Sequence, residues 1–462
     1  MAGDSKDVAR AHLADAGVYE LPDDWDVVTL GDLFTEDRGI AVGVMYPGDH
    51  DPNGVPLIKA GDLNGSVINP QPEFRITKEK HQEYRRTALE GGELVMTLVG
   101  NVGQCAVVPP RMAGWNAARA VAVMRLADPT ETHFVQQVLL SRPLQHLMDV
   151  WCNTTVQATL NLKEIRQLPL PWPPKKCRDA IAAFGKALDD KIELNRRMNA
   201  TLEAMARALF QSWFVDFDPV RAKLDGRPPA ALDPATAALF PGHLEESPIG
   251  KKPVGWEITT LETALSVLEV GGRPKGGVGG ITSGIPSIGA ESIVGVGQFD
   301  FGKTKYAPVE FYEGMKKGHI QSHDVLLYKD GGRPGEYEPH VSMFGDGFPF
   351  EKCSINEHVY RLRANERLSQ EYLYFWLTSE LALAEMRVKG TGVAIPGLNS
   401  TAVRSLTTLM PPKPIVEAFT KQAAPLVTRI LANSKQSRTL ATLRDTLLPK
   451  LLSVGISVTL HS

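Results

Sequence analysis

The sequence predicts an α+β fold in which two similar domains of mixed helix and sheet are each followed by a long helix. Two observations support this prediction: the order of landmarks repeats at an offset of roughly 231 positions, and a regular apolar spacing follows each copy. A chain of 462 residues is also too long for one compact core, so more than one domain is expected.

The repeat begins with matching openings. The segment LPDDWDVVTL at residues 21–30 recurs as KPVGWEITTL at residues 252–261, with proline, tryptophan, threonine and leucine at equal places. Next, GVPLIKA at residues 54–60 matches GIPSIGA at residues 284–290, and both segments indicate a short strand entered through a turn. Each half therefore starts with the same elements in the same register.

Two further segments extend the repeat. An apolar strand followed by a glycine-bearing turn is predicted at residues 92–103 and again at residues 323–335. The ends, TVQATLNLKEIRQLPLPWPP and GVAIPGLNSTAVRSLTTLMPP, both finish on a double proline. The aligned pairs near these ends are Asn161 with Asn399, Thr159 with Pro396 and Leu160 with Gly397.

Long helices are predicted after both double prolines, because apolar residues spaced three or four apart form a heptad seam in each. The seam residues of the first helix are Ile181, Phe184, Leu188, Ile192, Met198, Leu202, Met205 and Leu209, and those of the second are Phe419, Leu426, Ile430, Leu440, Leu443, Leu447 and Leu451. Asn195 and Asn433 interrupt the seams at matching places, and a buried asparagine pair would fix helix register at some cost in stability. The helices either pair with each other or only cap their own domains.

These patterns divide the chain into seven segments. They are an N-terminal extension at residues 1–20, a first domain at 21–174, a central helical spacer at 175–215, a linker at 216–252, a second domain at 253–412, a C-terminal helical spacer at 413–455 and a tail at 456–462. The linker is rich in proline, glycine and small residues, which favours an extended connector with one short helix.

Composition and charge argue against several classes of protein. No apolar run reaches the roughly 20 residues of a membrane helix, and the N-terminus lacks a signal-peptide pattern, so we expect a cytoplasmic protein. The four cysteines form no CxxC pair, and no histidine pair has a third ligand, so no metal site is expected. The formal net charge of −3 counts against DNA binding, because phosphate contacts require Lys and Arg.

The segment between the halves carries a family resemblance. It reads WFVDFDPVRAK at residues 213–223, continues through LDPATAALFP at residues 232–241 and ends in ESPIGKKPVGW at residues 246–256. This junction, together with the openings at Trp25 and Trp256, resembles that of the specificity subunits of type I restriction–modification systems. The resemblance covers nearly the whole chain.

The resemblance implies a function, partners and cofactors. The two domains would be target-recognition domains separated by two long antiparallel coiled-coil helices, and each would read one half of a split sequence in double-stranded DNA. The helices would dock modification methyltransferase subunits, and restriction endonuclease subunits would complete the complex. The chain itself would catalyse nothing and hold no cofactor, whereas S-adenosylmethionine, ATP and Mg²⁺ would be bound by the partner subunits.

Two other functions are compatible with parts of the sequence. A duplicated coiled-coil scaffold would bind protein alone. Alternatively, GQFDFGKT at residues 297–304 satisfies the P-loop pattern and would indicate nucleotide binding. A working P-loop needs a preceding strand and a following helix, and Pro308 opposes that helix, so nucleotide binding is disfavoured.

Candidate DNA-contacting residues are found on glycine-bearing loops near strand ends. Arg recognises guanine and Asn or Gln recognises adenine at base edges, while separate contacts hold the phosphates. The candidates of the first half are Lys59, Asn101, Gln104, Arg111 and Arg119, and those of the second half are Arg273, Lys275, Tyr328, Lys329 and Arg333. An ordinary polar surface explains the first-half residues equally well.

Paired helices would act as a ruler between two half-sites. A helix of about 34 residues is about 50 Å long, and DNA rises about 3.4 Å per base pair, so domains near opposite ends could address half-sites about a helical turn apart. Inserting one heptad into both helices should lengthen the unread spacer by about 10 Å, or about three base pairs. Sequencing of methylated sites measures the spacer, and an unchanged spacer in an active complex contradicts the ruler.

Overall fold

The computed structural model describes residues 10–14, 21–36, 39–154, 158–248, 250–392 and 395–453. Of the predicted N-terminal extension only residues 10–14 are described, and the predicted tail at residues 456–462 lies outside the described residues. The chain divides into two compact units. The first comprises Met1–Glu193 with Thr439–Ser462, and the second comprises Leu194–Arg438.

The first unit is built on a four-stranded antiparallel sheet. Its strands, in spatial order, are Ile40–Val42, Val121–Met124, Leu94–Thr97 and Cys105–Val107. Valine, leucine and methionine dominate the two central strands, because such side chains pack well on a pleated, buried surface. Every residue of these two strands is buried, so both faces of the sheet are covered.

Smaller sheets and helices complete the first unit. A three-stranded sheet has the order Arg75–Ile76, Val55–Ile58 and Asn116–Ala117, with one antiparallel and one parallel pair. The first strand, Asp26–Thr29, pairs with the last, Pro169–Trp172. The remaining elements are the strand pairs Leu63–Asn64 with Val67–Ile68 and Asn153–Thr154 with Ala158–Thr159, and the helices Lys78–Glu83, Thr132–Leu140, Arg142–Trp151 and Leu162–Gln167.

The second unit repeats this topology. Its four-stranded antiparallel sheet has the order Leu265–Val270, Val359–Ala364, Asp324–Tyr328 and Val341–Phe344. Its three-stranded sheet has the order Lys305–Ala307, Ile285–Ile288 and Ser354–Ile355, again with one antiparallel and one parallel pair. Strand Glu257–Thr260, which opens the second copy of the repeat, pairs with the last strand of the unit, Thr407–Met410. The predicted fold of two pseudo-repeated domains of mixed helix and sheet is therefore confirmed.

The remaining elements of the second unit include most of the predicted linker. They are the strand pairs Leu244–Glu245 with Lys252–Pro253 and Gly332–Arg333 with Glu336–Tyr337, and the helices Asp218–Leu224, Pro234–Leu239, Val309–Gly314, Gln370–Leu377, Glu380–Lys389 and Ser400–Arg404. The expectation of one short helix in the linker was wrong, because it contains two. Phe217 and Phe240 of this segment are buried in the same core as Trp256, so it packs as part of the unit.

Backbone hydrogen bonds fix the register of the repeat. Leu30 N donates to Leu168 O at 2.8 Å, and Leu261 N donates to Leu406 O at 2.7 Å. Each unit has a second bond of this kind at an equivalent place: Gly100 N donates to Ala158 O at 3.0 Å, and Gly331 N donates to Pro396 O at 2.8 Å. Pro396 therefore corresponds to Ala158, and the alignment with Thr159 was wrong by one residue. The aligned pair Asn161 and Asn399 has the same offset as Ala158 and Pro396, so it agrees with the backbone bonds.

Two long helices contact each other in antiparallel orientation. They comprise Lys175–Phe214, with 40 residues, and Lys413–Leu451, with 39 residues. In the second unit the rings of Phe210 and Phe419 lie 5.8 Å apart, whereas the earlier Asn199 donates to the later Ile430 O at 3.3 Å. Residue numbers thus rise on one helix as they fall on the other. The helices therefore do more than cap their own domains, and the predicted pairing is confirmed.

Most predicted seam residues are at least partly buried, with two exceptions. Met205 is 53% exposed and Leu443 is 43% exposed, while Ala206 is fully buried. An α-helix advances 3.6 residues per turn, so a seam assigned at a strict spacing of 3.5 drifts around the helix. No helix within the described residues combines the length and the apolar composition needed to cross a bilayer.

Gly54 and Gly284 precede equivalent strands. Glycine is needed at both positions, because the backbone there approaches a neighbouring strand closely. A Cβ atom on Gly54 would lie 2.1 Å from Ile76 O, and one on Gly284 would lie 2.3 Å from Ala307 O. Gly54→Ala should therefore cost about 1–3 kcal/mol of stability and lower the thermal unfolding midpoint of the protein. Gly61→Ala is the matched control, since a Cβ there meets nothing within 4 Å. Equal midpoints for the two variants would refute the steric explanation.

Candidate nucleic-acid interface

Two parallel strands bring Lys59 and Arg119 to one edge of the first unit. Ile58 pairs with Ala117, and Ala118 N donates to Ile58 O at 2.9 Å, so the residues that follow both strands leave at the same end. Lys59 and Arg119 are exposed there. The Lys59 Nζ atom lies 3.9 Å from the ring centroid of Phe74, which supports the side chain while leaving its ammonium accessible.

Asn101 and Gln104 lie beyond the same edge. The last residue of strand Leu94–Thr97, Thr97, pairs with Val121. Val121 comes two residues after Arg119, so this strand ends near Arg119. The Thr97 hydroxyl donates to Asn101 O, and Gln104 N donates to the Thr97 hydroxyl at 3.0 Å, which closes the loop between them. Asn101 is exposed, whereas Gln104 Oε1 accepts a hydrogen bond from Gly65 N at 2.7 Å. The Asn101 side chain is thus presented outward, and that of Gln104 holds a neighbouring hairpin.

Arg111 is separated from the other four candidates. It lies in the short 3₁₀ helix Pro110–Met112, which follows strand Cys105–Val107. Leu94 pairs with Val107 and Met96 pairs with Cys105, so Arg111 leaves the sheet at the end opposite to Asn101. The first unit therefore has a reading edge, which we define as Lys59, Asn101, Gln104 and Arg119.

The five candidates of the second unit lie at the ends of strands, or just beyond them, at the corresponding edge. Tyr328 pairs with Val359 at the end of its strand, and Val270 pairs with the adjacent Tyr360. Arg273 and Lys275 continue from Val270, Lys329 follows Tyr328, and Arg333 lies on the hairpin that comes next. We define the second reading edge as Arg273, Lys275, Tyr328, Lys329 and Arg333.

Acidic residues partly neutralise the second reading edge. Arg273 Nη1 lies 3.4 Å from Glu357 Oε1, and Lys329 Nζ donates to Glu357 O at 3.3 Å. Asp330 Oδ2 lies 3.6 Å from Lys329 Nζ and 2.7 Å from His358 Nδ1. Burial, with the nearby Asp330 carboxylate, raises the pKa of the Tyr328 phenol, so this ring stays neutral and can donate a hydrogen bond. In the first unit, Lys59 and Arg119 are exposed cations.

The P-loop interpretation is wrong for this fold. Residues 297–304 contain only the 3₁₀ helix Phe301–Lys303, and a strand, Lys305–Ala307, follows it in place of the required α-helix. Gly297 is needed because a Cβ there would lie 2.9 Å from Ile430 Cγ2 and from Ser434 Oγ on the second long helix. The Phe301 ring packs 4.9 Å from Phe299 and 4.1 Å from the Arg438 guanidinium. The segment therefore packs the domain against this helix.

Four histidines of the second unit have carboxylate, backbone or ring contacts: His319, His323, His340 and His358. Among the described residues no group of three or more His, Cys, Asp or Glu side chains is arranged to hold a metal ion. His323 Nδ1 lies 2.9 Å from Glu371 Oε1 and His323 Nε2 lies 3.1 Å from Asp346 Oδ2. The hydrogen bond with Glu371 raises the pKa of His323 against the opposing effect of burial. The His323–Glu371 contact therefore links the start of strand Asp324–Tyr328 to helix Gln370–Leu377.

Asn195 and Asn433 lie in one buried polar layer where the two long helices contact each other within the second unit. Asn195 Nδ2 donates to Gln436 Oε1 at 2.9 Å and to Asn433 O at 3.3 Å. Asn433 Nδ2 donates to Asn199 Oδ1 at 2.9 Å. The two residues therefore meet through a backbone carbonyl and Asn199, which lies one helical turn after Asn195 and which the heptad analysis overlooked. Their role in helix register stays a prediction.

Glu357 and Asp330 are the edge residues that sequence reasoning missed. The sequence search favoured cations and amides, so it passed over carboxylates that contact them. The sequence does contain a usable signal. Glu357 is the second residue after the short strand Ser354–Ile355, and Arg119 is the second residue after the short strand Asn116–Ala117. Positions just after paired strands are therefore the ones to examine, whatever their charge.

The chain is similar to known proteins in sequence. A family model described as the type I restriction modification DNA specificity domain matches residues 22–204. The chain is 21% identical over 448 residues to the type I restriction enzyme MjaIX specificity subunit of Methanocaldococcus jannaschii, covering 94% of each chain. It is 26% identical over 343 residues to the type I restriction enzyme HindI specificity subunit of Haemophilus influenzae, covering 64% of this chain and 70% of that protein.

The fold is similar as well. The crystal structure of a type I restriction–modification system S subunit from M. genitalium has a TM-score of 0.50 and 14% identity, covering 92% of this chain and 96% of that chain. The fold is that of a duplicated protein in which each domain of mixed helix and sheet leads into a long helix. These similarities in sequence support the resemblance to type I restriction–modification specificity subunits that the central junction indicated.

Two residues of the loop at the first reading edge should differ in role: we expect Gln104 to stabilise the fold and Asn101 to contact DNA. Gln104→Ala should lower the thermal unfolding midpoint, because the loss of the Gly65 hydrogen bond costs about 1 kcal/mol. Asn101→Ala should leave the midpoint unchanged and weaken DNA binding, since its side chain is exposed at the edge. Thermal unfolding of the chain measures the first property, and fluorescence anisotropy of the chain assembled with its partner subunits on labelled duplex DNA measures the second. A destabilised Asn101→Ala protein would show that this residue is also structural.

Proposed function

We propose that the chain recognises a split DNA sequence, with each unit reading one half of the target. The observation that carries this proposal is the repeated edge: both units place Lys, Arg, Asn, Gln or Tyr side chains beyond the same ends of equivalent strands. Side chains that donate to base edges supply specificity, while phosphate contacts supply register and much of the affinity. Two such edges in one chain fit a target with two separately read parts.

The chemistry is assigned to partner subunits. We infer that the chain is not an enzyme and that methyl transfer and DNA cleavage are performed by modification methyltransferase and restriction endonuclease subunits. Those subunits would bind S-adenosylmethionine, ATP and Mg²⁺. The two relatives are described as specificity subunits of restriction enzymes, and the sole sequence segment with a nucleotide-binding pattern has a packing role in the second unit. Such a complex would act in the cytoplasm, where chromosomal DNA is modified.

The long helices are proposed to dock the methyltransferase subunits. A net charge of −3 gives the chain little general attraction for DNA, so partner subunits would supply much of the grip on phosphates. The isolated chain should then bind DNA weakly, and the assembled complex should bind with strong salt dependence. A scaffold that binds only protein would share the helices but would make no sequence-specific contact with DNA.

Methylome sequencing tests the proposed function. Cells that carry the gene and its partner subunits should contain methylated adenines in one split motif, and deletion of the gene should remove them. In the complemented strain, Arg119→Ala should reduce methylation, because this residue lies on the first reading edge. Arg111→Ala is the matched control, since this arginine is also exposed but lies at the opposite end of the sheet.

A methylome that does not change when the gene is deleted would contradict the proposal and favour the scaffold. Equal losses for the Arg119 and Arg111 variants would contradict the assignment of the edge without affecting the function.

A further inference from the structure

The repeat reveals a reversal of charge between the two reading edges. In the first unit, Ala118 N donates to Ile58 O, and Arg119 is the next residue. In the second unit, Asn356 N donates to Ile288 O at 2.9 Å, and Glu357 is the next residue. Arg119 and Glu357 therefore occupy equivalent positions after equivalent parallel strands. An exposed cation in one unit is replaced by a carboxylate in the other.

A carboxylate at this position cannot serve as a phosphate contact, because like charges repel. In the major groove it can instead accept a hydrogen bond from an exocyclic amine, and the Glu or Asp contact to cytosine N4 is the usual case. The charge reversal therefore changes the kind of contact available at this point of the edge. It favours a contact to a base over a contact to the DNA backbone.

Glu357 has the hydrogen-bonding capacity for such a contact. Its Oε1 atom lies 3.4 Å from Arg273 Nη1 and 3.5 Å from His358 Nε2. Its Oε2 atom is buried and accepts no hydrogen bond from any residue that the structure describes. A buried oxygen without a donor is costly, and a donor from a bound ligand would remove that cost. The side chain is 31% exposed, so rotation about its terminal bonds can bring this oxygen to the surface.

Arg273 supplies the complementary donors beside this carboxylate. Its side chain is 59% exposed, and the surrounding GGRPKGG segment gives it space to approach DNA. A guanidinium donates two parallel hydrogen bonds to guanine O6 and N7, which are the adjacent acceptors on the major-groove edge. A G·C pair is the base pair that offers two adjacent acceptors on guanine and an amine donor on cytosine. It matches the Arg273–Glu357 pair group for group.

We propose that Arg273 and Glu357 together read one G·C base pair in the half-site recognised by the second unit. This inference rests on the proposed function and adds the identity of a base pair and the two residues that select it. Arg273 donates to guanine, and Glu357 accepts from the cytosine amine. In the free protein, the two side chains hold each other in position at the edge and keep the guanidinium paired until DNA arrives.

The test is a comparison of base preference in the complete restriction–modification complex. Glu357→Gln keeps the shape of the side chain but replaces the acceptor-only carboxylate with an amide. Arg273→Ala removes the donors to guanine. Both variants should relax discrimination at one and the same base pair, by about 5- to 150-fold, and leave the other positions of the motif unchanged. Methylome sequencing gives the methylated fraction at every sequence that differs from the motif by one base pair.

Glu366→Gln is the matched control. Glu366 is an exposed glutamate that follows the end of strand Val359–Ala364, whereas Glu357 precedes its start. It should leave the motif unchanged. If a variant abolishes methylation altogether, competition binding by the purified complex with duplexes that carry each of the four base pairs at each position gives the same preference ratios.

Several outcomes would overturn the inference. They are relaxation at two different base pairs, a uniform loss of binding at all sequences, an unchanged motif in Glu357→Gln, or a relaxed position that is not G·C in the wild-type motif. A uniform loss would show that Glu357 only orients Arg273. All of these outcomes require that the wild-type complex has a split motif. The absence of any motif would instead refute the proposed function.

Discussion

Pairing of the strand that opens each copy of the repeat with the strand that closes it is the constraint on which the rest of the architecture depends. Thr29 pairs with Pro169, and Thr260 pairs with Thr407, so each domain is closed by its own ends. A double proline follows each closing strand. Proline cannot donate to a strand ladder, yet its fixed φ suits the start of a helix, so the chain leaves the sheet and a long helix begins directly. Closure thus decides where each long helix starts.

The same constraint locates the reading edges. Once the ends of a domain are paired, the parallel strand pair and the four-stranded sheet deliver several loops to one edge. Lys59 and Arg119 come from sequence positions far apart, yet Ile58 and Ala117 pair and bring them together. In the second unit the equivalent strands deliver Glu357 beside Arg273. One topology therefore presents two different sets of side chains, as the proposed recognition of a split target would require.

The electrostatic character of these edges explains how a chain with a net charge of −3 can face DNA. Cations at the first edge are exposed, whereas carboxylates partly neutralise those of the second edge. Burial opposes ionisation of Glu291 nearby, but the Lys305 ion pair at 2.5 Å holds the pKa of that carboxyl below its usual value. Charge is therefore organised locally, and the overall sum hides the arrangement. Under the proposed function, the edges would supply selectivity for bases, while partner subunits would add attraction for the DNA backbone.

The central junction of the sequence carried the family resemblance. The sequence by itself also determined the duplication and the two long helices. These depend on period and order: apolar spacing, glycine and proline punctuation, and landmarks that recur at the same intervals. It also placed Asn195 and Asn433 at matching interruptions of the seams. Such features survive divergence because every copy of a fold needs the same turns and the same buried faces.

Only the tertiary structure decided which residues share an edge. The sequence grouped Arg111 with Asn101 by proximity, but the strand between them turns Arg111 to the opposite end of the sheet. It read residues 297–304 as a nucleotide-binding pattern, but their glycine and phenylalanines are used to pack against a helix more than a hundred residues away. It overlooked Glu357, which contacts Arg273 on another loop. In each case the deciding contact is long-range, and strand pairing, which local sequence does not encode, creates it.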